Sequence, residues 1–288
     1  MTISQSKKVS VIVPNYNYGK YIKKRIKSIL GQTYPIYELI ILDDASTDGS
    51  ADLIKNIVLD LKLKNPKMNI KFVPNLKNSG KAMAQWKKGF ELAQGDYIWI
   101  AEADDLSDKR FLEEAMKGFD DPKVVISYTE SMIINSHGLM IAPNFRWSRD
   151  KEKTGHYKSS YIKDGRDEIQ EIMVIRCTIP NVSGVVFKKD KKWLKYLDEA
   201  IKFTQVGDWY FYTKVLENGK ISYNRKSLNK FRVHGGSKTA ASKSGKEHYE
   251  EILWMHEYFK KNYDLKKDIR EAITNEAMRV KTKHGIIG

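Results

Sequence analysis

The chain has 288 residues, 41% hydrophobic and 30% charged, and its 51 Lys and Arg against 36 Asp and Glu give a formal net charge of +15. That balance describes a globular chain long enough to bury a sizeable core and excludes a disordered or fibrous one. No apolar run reaches the ~18 residues of a spanning helix, no small-residue cleavage site follows the N-terminal lysines, and the one cysteine, Cys177, excludes an internal disulfide or cysteine metal cluster; a cytoplasmic protein is expected.

In chain order, "VSVIVP" (Val9–Pro14) is a short β-branched run of the kind covered on both faces of a sheet. Tyr18–Leu30 follows with Ile22, Ile26, Ile29 and Leu30 at helical spacing and lysines opposite. "ELIILDD" is a second strand and Asp52–Leu61 a second helix. "NIKFVP" is a third strand, Lys81–Ala93 a third helix and "YIWIA" a fourth strand. Lys109–Phe119 is a fourth helix and "KVVISYT" a fifth strand. Strands alternating with helices predict an α/β fold, a mostly parallel sheet with helices on both faces. Such sheets bind ligands at the carboxyl ends of their strands.

The alternation fades after about residue 130. Residues 135–164 read as loop, Asp167–Val174 as helical, and Ser183–Phe187 as a strand. Asp208–Glu217 reads as a helix closed by Asn218 and Gly219, and "KISYN" and "LNKFRVH" as two strands. Two amphipathic helices, "KEHYEEILWMHEYFKKN" and "LKKDIREAITNEAMRVK", complete the chain.

Three polar loops share the predicted carboxyl edge: "PNYNYG" after the first strand, "DDASTDGS" after the second and "EADDLSD" after the fourth. The last gathers Glu102, Asp104, Asp105 and Asp108 inside residues 101–150, the one acidic stretch of a basic chain. Adjacent carboxylates repel unless a proton or a cation intervenes. Asp104 and Asp105 suit a hard divalent ion, Mn2+ or Mg2+, bridged to phosphate oxygens; Asp108 suits a helix cap. Asp43 and Asp44 end a strand, where a carboxylate can accept from a base N–H or a ribose hydroxyl. Asp208 opens a helix and can cap it or serve as a general base. His234, beside two glycines, is structural or a partner of the acidic loop. A sequence pI of 9.5 allows nucleic acid, an anionic membrane surface or an anionic substrate as partner, and no nucleic-acid motif accompanies the charge.

Taken in order, residues 9–50, "NSGK", "GDYIWIAEADD", "GDW" and "FRVHGGS" resemble the family 2 glycosyltransferases across about residues 8–240. The resemblance implies a GT-A fold, a nucleotide-sugar donor, a divalent cation and inversion at the anomeric carbon. By it, residues 1–130 form the nucleotide-sugar half, 131–240 the acceptor half and 241–288 a helical extension. Pro14 and Tyr16 match positions lining the nucleotide pocket, and Asp44 the carboxylate that binds a uracil-type base. Asp104 and Asp105 match the metal-and-phosphate motif, with Asp105 as the direct ligand and Asp104 toward the nucleotide. His234 matches a histidine that helps hold metal or pyrophosphate, Asp208 the catalytic base, and Asn181 and Ser183 are acceptor-side candidates. Glu102 replaces the usual leading aspartate, and Gln85, Trp86, Lys87 and Lys88 stand where similar enzymes have an asparagine before the helix glycine. The expected reaction moves a sugar from a UDP-sugar to a hydroxyl of a glycan or lipid-linked saccharide, in surface polysaccharide or glycoconjugate synthesis, with peripheral contact to an anionic membrane face. The rivals are a nucleotidyltransferase acting on a sugar phosphate and a non-catalytic nucleotide- or nucleic-acid-binding protein.

Overall fold

In the computed structural model, which describes residues 7–146, 155–235 and 245–286, side chains along the first strand alternate between two cores. In β1 (Val9–Asn15), Val9, Val11 and Val13 join one apolar cluster and Ile12 the other. β2 (Glu38–Asp43) repeats the pattern, Leu39 and Ile41 on one side and Ile40 and Leu42 on the opposite one. β-Strands buried on both faces need cover on both. On one face it comes from α1 (Gly19–Leu30) and α2 (Ser50–Lys64), with Ile22, Ile26, Ile29, Ile54 and Val58 turned inward. On the other lies α3 (Ala82–Leu92), with Trp86 and Phe90. A Cβ at Gly89 would sit 2.5 Å from Ile12 Cγ2, so glycine there lets α3 rest directly on β1.

The sheet continues through β3 (Ile70–Pro74), β4 (Tyr97–Ile100), β5 (Leu106–Ser107), β6 (Val124–Ile134), β7 (Met140–Ala142), β8 (Tyr161–Asp164), β9 (Val185–Lys188) and β10 (Lys220–Arg232). Its order is β3-β2-β1-β4-β9-β6-β10-β5, with β7 beside β6 and β8 beside β10. Strands β1 to β4, β6 and β10 run one way, and β9 runs against its neighbours β4 and β6. The sheet is therefore mixed. α4 (Phe111–Met116) joins the first core. α5 (Gly165–Glu168) leads into a π-helical turn over Ile169–Met173. α6 (Trp193–Ala200), α7 (Gly207–Leu216), α8 (Gly245–Asn262) and α9 (Lys267–Lys283) enlarge the second core.

Several elements differ from expectation. "KISYN" and "LNKFRVH" belong to one long strand, β10, whose register slips at Asn224/Ser227 and Ser227/Asn229. β5 and α6 were not predicted. Residues 135–164 contain β7 and β8, and residues 147–154 of that stretch lie outside the described ones. Among the described residues no helix is long and apolar enough to cross a membrane.

Candidate active site

The first two loops of the edge are locked together by buried polar side chains. Asn15, at the end of β1, donates through Nδ2 to Asp43 Oδ1 at 2.7 Å and Ser50 Oγ at 2.9 Å. Asp43 also accepts from Ser46 N at 3.0 Å and Ser46 Oγ at 2.6 Å. Asn17 and Ala45 take positive φ of 59° to complete the two turns. Asp43, expected to touch nucleotide, is 1% exposed and turned into this network. Pro14 is buried in β1, and Tyr16 is 43% exposed beyond the strand end.

Asp44 faces the opposite way, toward the loop before α3. Its Oδ1 accepts from Asn75 Nδ2 at 2.7 Å and Gln85 Nε2 at 2.8 Å, and its Oδ2 from Ser79 Oγ at 2.7 Å. Ser79 N lies 3.0 Å and 3.1 Å from the two oxygens. Asp44 thus organises residues 75–85, and Gln85, one of the departures from the family pattern, is one of its partners.

The acidic loop after β4 splits its two aspartates. Asp105 is 2% exposed; its Oδ1 accepts from Arg232 N at 2.8 Å and its Oδ2 from Asn181 Nδ2 at 3.0 Å. Burial, then the neighbouring Asp104 charge, push its carboxyl up to about 6, against the pull of Arg25 and a hydrogen bond from Ser183. Asp104 is more exposed and meets His234, with Oδ2 and Nε2 3.0 Å apart. Asp105, expected as the metal ligand, holds protein donors on both oxygens here, whereas Asp104 and His234 form a partly buried oxygen-plus-imidazole pair beside it. Asn181 and Ser183, the acceptor-side candidates, both hydrogen-bond the acidic loop. Asn181 holds Asp105, and Ser183 Oγ accepts from Glu102 N at 3.1 Å, so both brace the acidic loop from beneath.

Two buried arginines answer the charge question that the sequence raised. Arg25 of α1 is fully buried, donates to Ser107 Oγ at 2.8 Å and lies 5.1 Å from the Trp99 ring centroid. Burial pulls it down to about 10, opposed by Asp105, Asp104 and Glu102. Arg232 donates through Nε to Asp104 O at 2.6 Å and stands 4.8 Å from the Tyr21 ring centroid. Burial, then the charges of Asp104, Glu102 and Asp105, push the Tyr18 phenol far above its ordinary value, so it remains a donor to Asp104. Tyr18 also meets His234 edge-on at 5.7 Å. Sequence reasoning chose Tyr16 from the tyrosine pair; helical phase alone would have favoured Tyr18, which leads into the buried stripe of α1.

The two departures from the family pattern meet. Glu102 Oε1 accepts from Trp86 Nε1 at 2.9 Å, a contact that spans from the β4 end to α3. Asp208 lies beyond it, in the first turn of α7. A Cβ at Gly207 would be 3.2 Å from Met83 Cγ, and Lys81 Nζ donates to Thr204 Oγ1 at 3.0 Å, so α7 starts where α3 starts. Burial pushes the Asp208 carboxyl up to about 6; backbone N–H groups, Trp209 N at 2.7 Å among them, partly oppose the shift, and among the described residues no side chain hydrogen-bonds it. One turn along, Tyr212 is wholly buried with no hydrogen-bond partner among the described residues for its hydroxyl. Its phenol is raised by burial and then by Asp208, Cys177 and Glu102. Tyr212 therefore feels the charge of Asp208 and, more weakly, of Glu102, and no motif marks it.

Glycosyl transferase family 2 matches residues 10–176, more than half of the chain, and the chain belongs to that family; it is a glycosyltransferase. It is 32% identical over 130 residues to TuaG of Bacillus subtilis, a glycosyltransferase named for teichuronic acid biosynthesis; the match covers 45% of this chain and 49% of that protein. Among solved structures, residues 1–349 of S. aureus TarS, in complex with UDP-GlcNAc, match with a TM-score of 0.67 at 22% identity, over 96% of this chain and 73% of that one. The mannosyltransferase PcManGT of Pyrobaculum calidifontis, in complex with GDP-Man and Mn2+, matches with a TM-score of 0.63 at 16% identity, over 99% and 77%. At these identities the likeness establishes the fold, the GT-A arrangement of a sheet flanked by helices with a helical C-terminal region.

Proposed function

We propose that the chain transfers a sugar from a UDP-sugar, with inversion, to an acceptor hydroxyl in the assembly of a surface polysaccharide or glycoconjugate. The observation that carries this reading is Asp208: a carboxylate in the first turn of α7, pushed up by burial, that among the described residues accepts hydrogen bonds from backbone alone. Asp208 takes the hydroxyl proton as the acceptor oxygen forms its bond to the anomeric carbon and the bond from that carbon to the diphosphate oxygen breaks. The proton ends on Asp208 and the electron pair on the departing UDP. Asp44 receives the base N–H in exchange for its present donors, and Tyr18 and Arg232 hold the acidic loop in place.

The donor set fits a hard divalent cation. Among the described residues no three His, Cys, Asp or Glu side chains converge, so Asp104 and His234 would hold such an ion, and the remaining positions would fall to phosphate oxygens and water, as Mg2+ and Mn2+ prefer. Such an ion, when bound, supplies charge stabilisation of the leaving diphosphate. The UDP-GlcNAc in TarS and the Mn2+ in PcManGT support the donor class and the ion, and the name of TuaG supports the polymer setting.

The test is incubation with Mn2+ and a panel including UDP-GlcNAc and GDP-mannose, scoring nucleoside diphosphate and pyrophosphate separately. UDP release is expected; pyrophosphate release would make the protein a nucleotidyltransferase, and release of neither would remove the catalytic reading. His234→Ala should raise the Mn2+ concentration for half-maximal rate by about tenfold or more, read from metal titrations of initial rate. An unchanged titration would remove His234 from the metal site. Sedimentation with anionic liposomes at physiological salt tests the proposed membrane contact.

A further inference from the structure

Asp208 owes its direction to the start of α7, because among the described residues it accepts hydrogen bonds from backbone alone. That start has no cap of its own: the residue before the helix is Val206, whose side chain accepts nothing. The acceptor comes from α8. Glu251 takes three consecutive amides, Thr204 N on Oε1 at 2.7 Å and Gln205 N and Val206 N on Oε2 at 2.8 Å and 3.0 Å. Bonds from N–H to an ionised carboxylate are among the strong ones, and negative charge at a helix N-terminus is favoured by its dipole. Glu251 is itself fixed, since the buried Ile252, Met255 and Phe259 seat α8 in the second core. From the start of α3, Lys81 Nζ donates to Thr204 Oγ1 at 3.0 Å and Phe203 O at 3.4 Å, and the Lys81 carbonyl accepts at 3.3 Å from Ser79 Oγ, a partner of Asp44. Residues 203–206 thus join the loop held by Asp44 to the C-terminal helices, immediately ahead of Asp208.

We propose that Glu251 is a positioning residue for the transfer: by gathering these three amides it sets where α7 begins and so aims Asp208 at the acceptor hydroxyl. This rests on the reading of Asp208 as base. Glu251 acts through the backbone and not on the reacting atoms. Without it the amides turn to water and the first turn of α7 loosens, while Trp209, Phe211, Tyr212, Val215 and Leu216 keep the helix packed. A general base displaced by about an ångström costs up to ~10² in rate, so the loss falls on kcat and spares donor binding. The C-terminal helices, which lie outside residues 10–176 matched by the family, thereby become a working part of the active site.

The experiment compares Glu251→Ala, Glu251→Gln, Tyr263→Phe and Asp208→Asn in the full chain. Tyr263→Phe deletes the 2.6 Å hydrogen bond to Glu217 at the far end of α7, so it loosens the same helix without reaching the amides of residues 204–206. UDP release from the sugar-nucleotide panel with Mn2+ gives kcat and donor KM. The Asp208 carboxyl, assigned by its loss in Asp208→Asn, is titrated by carboxyl-carbon NMR. Glu251→Ala should lower kcat about tenfold with donor KM within about twofold. It should also move the Asp208 midpoint from about 6 toward the ordinary carboxylate value, as water reaches the loosened turn. Glu251→Gln, which keeps one acceptor oxygen, should act in the same direction about threefold more weakly, and it carries the comparison if the alanine variant does not fold. Tyr263→Phe should leave kcat and midpoint at parental values. Parental kcat and midpoint in both Glu251 variants, or equal losses in Tyr263→Phe, overturn the positioning role. Turnover lost in Asp208→Asn and kept in Glu251→Ala refutes Glu251 and spares the base. A midpoint moved in Glu251→Ala, with full turnover in Asp208→Asn or none in the parent, refutes the base and spares the hold of Glu251 on α7.

Discussion

Asp105 and Asp208 are both pushed up to about 6 by burial, yet their surroundings differ in kind. Asp105 lies among Arg25, Arg232, Asn181 and Ser183, and every one of these contacts restrains it. Among the described residues Asp208 accepts only from backbone at its own helix start, and it borders a cavity. A carboxylate saturated with donors holds a loop together; one raised by burial alone remains available to accept a proton. The shift in acidity is common to both, and the inventory of donors separates their roles.

Substitutions should pull the two apart. The largest effect is expected for Asp208→Asn, a loss of ~10³ in turnover with the UDP-sugar thermal shift retained; full activity would end the base reading. The same variant should be more stable than the parent near neutral pH, by ~2 kcal/mol, because a partly buried charge is removed. Asp105→Ala should act in the reverse sense. It orphans Arg232 N, the Asn181 amide and the buried Arg25, at a cost of ~3 kcal/mol in urea unfolding. Near-parental stability with activity lost would return Asp105 to the metal site. Because the Asp208 pKa is raised, its protonated form persists to higher pH, so kcat/KM should fall about tenfold per pH unit below about 6. A rate flat down to pH ~4.5 would place the essential base elsewhere. The smallest change is expected for Trp86→Phe, which deletes the hydrogen bond to Glu102 and should raise donor KM about threefold, with kcat little altered.

Much of this was legible in the residues and some was not. β1 to β4 and their helices were readable because each strand is apolar on both faces and each helix on one. The acidic loop was readable as a site from composition and position. Which of two consecutive aspartates faces outward was not, since it depends on Arg25 in α1 and on Arg232, 127 residues further along the chain from Asp105. β10 reads as two strands because "NRKS" between them is polar, whereas the structure passes through it with two slips of register. Tyr212 carried no motif because its surroundings are set by tertiary packing.

Asp44 already holds a full complement of donors from Asn75, Ser79 and Gln85. If a nucleobase docks there as proposed, it would compete with the protein's own amides and hydroxyl, so its docking would be a swap of partners and not a simple addition. On the proposed reading, a base lacking an N–H in the right place would leave these hydrogen bonds as they are.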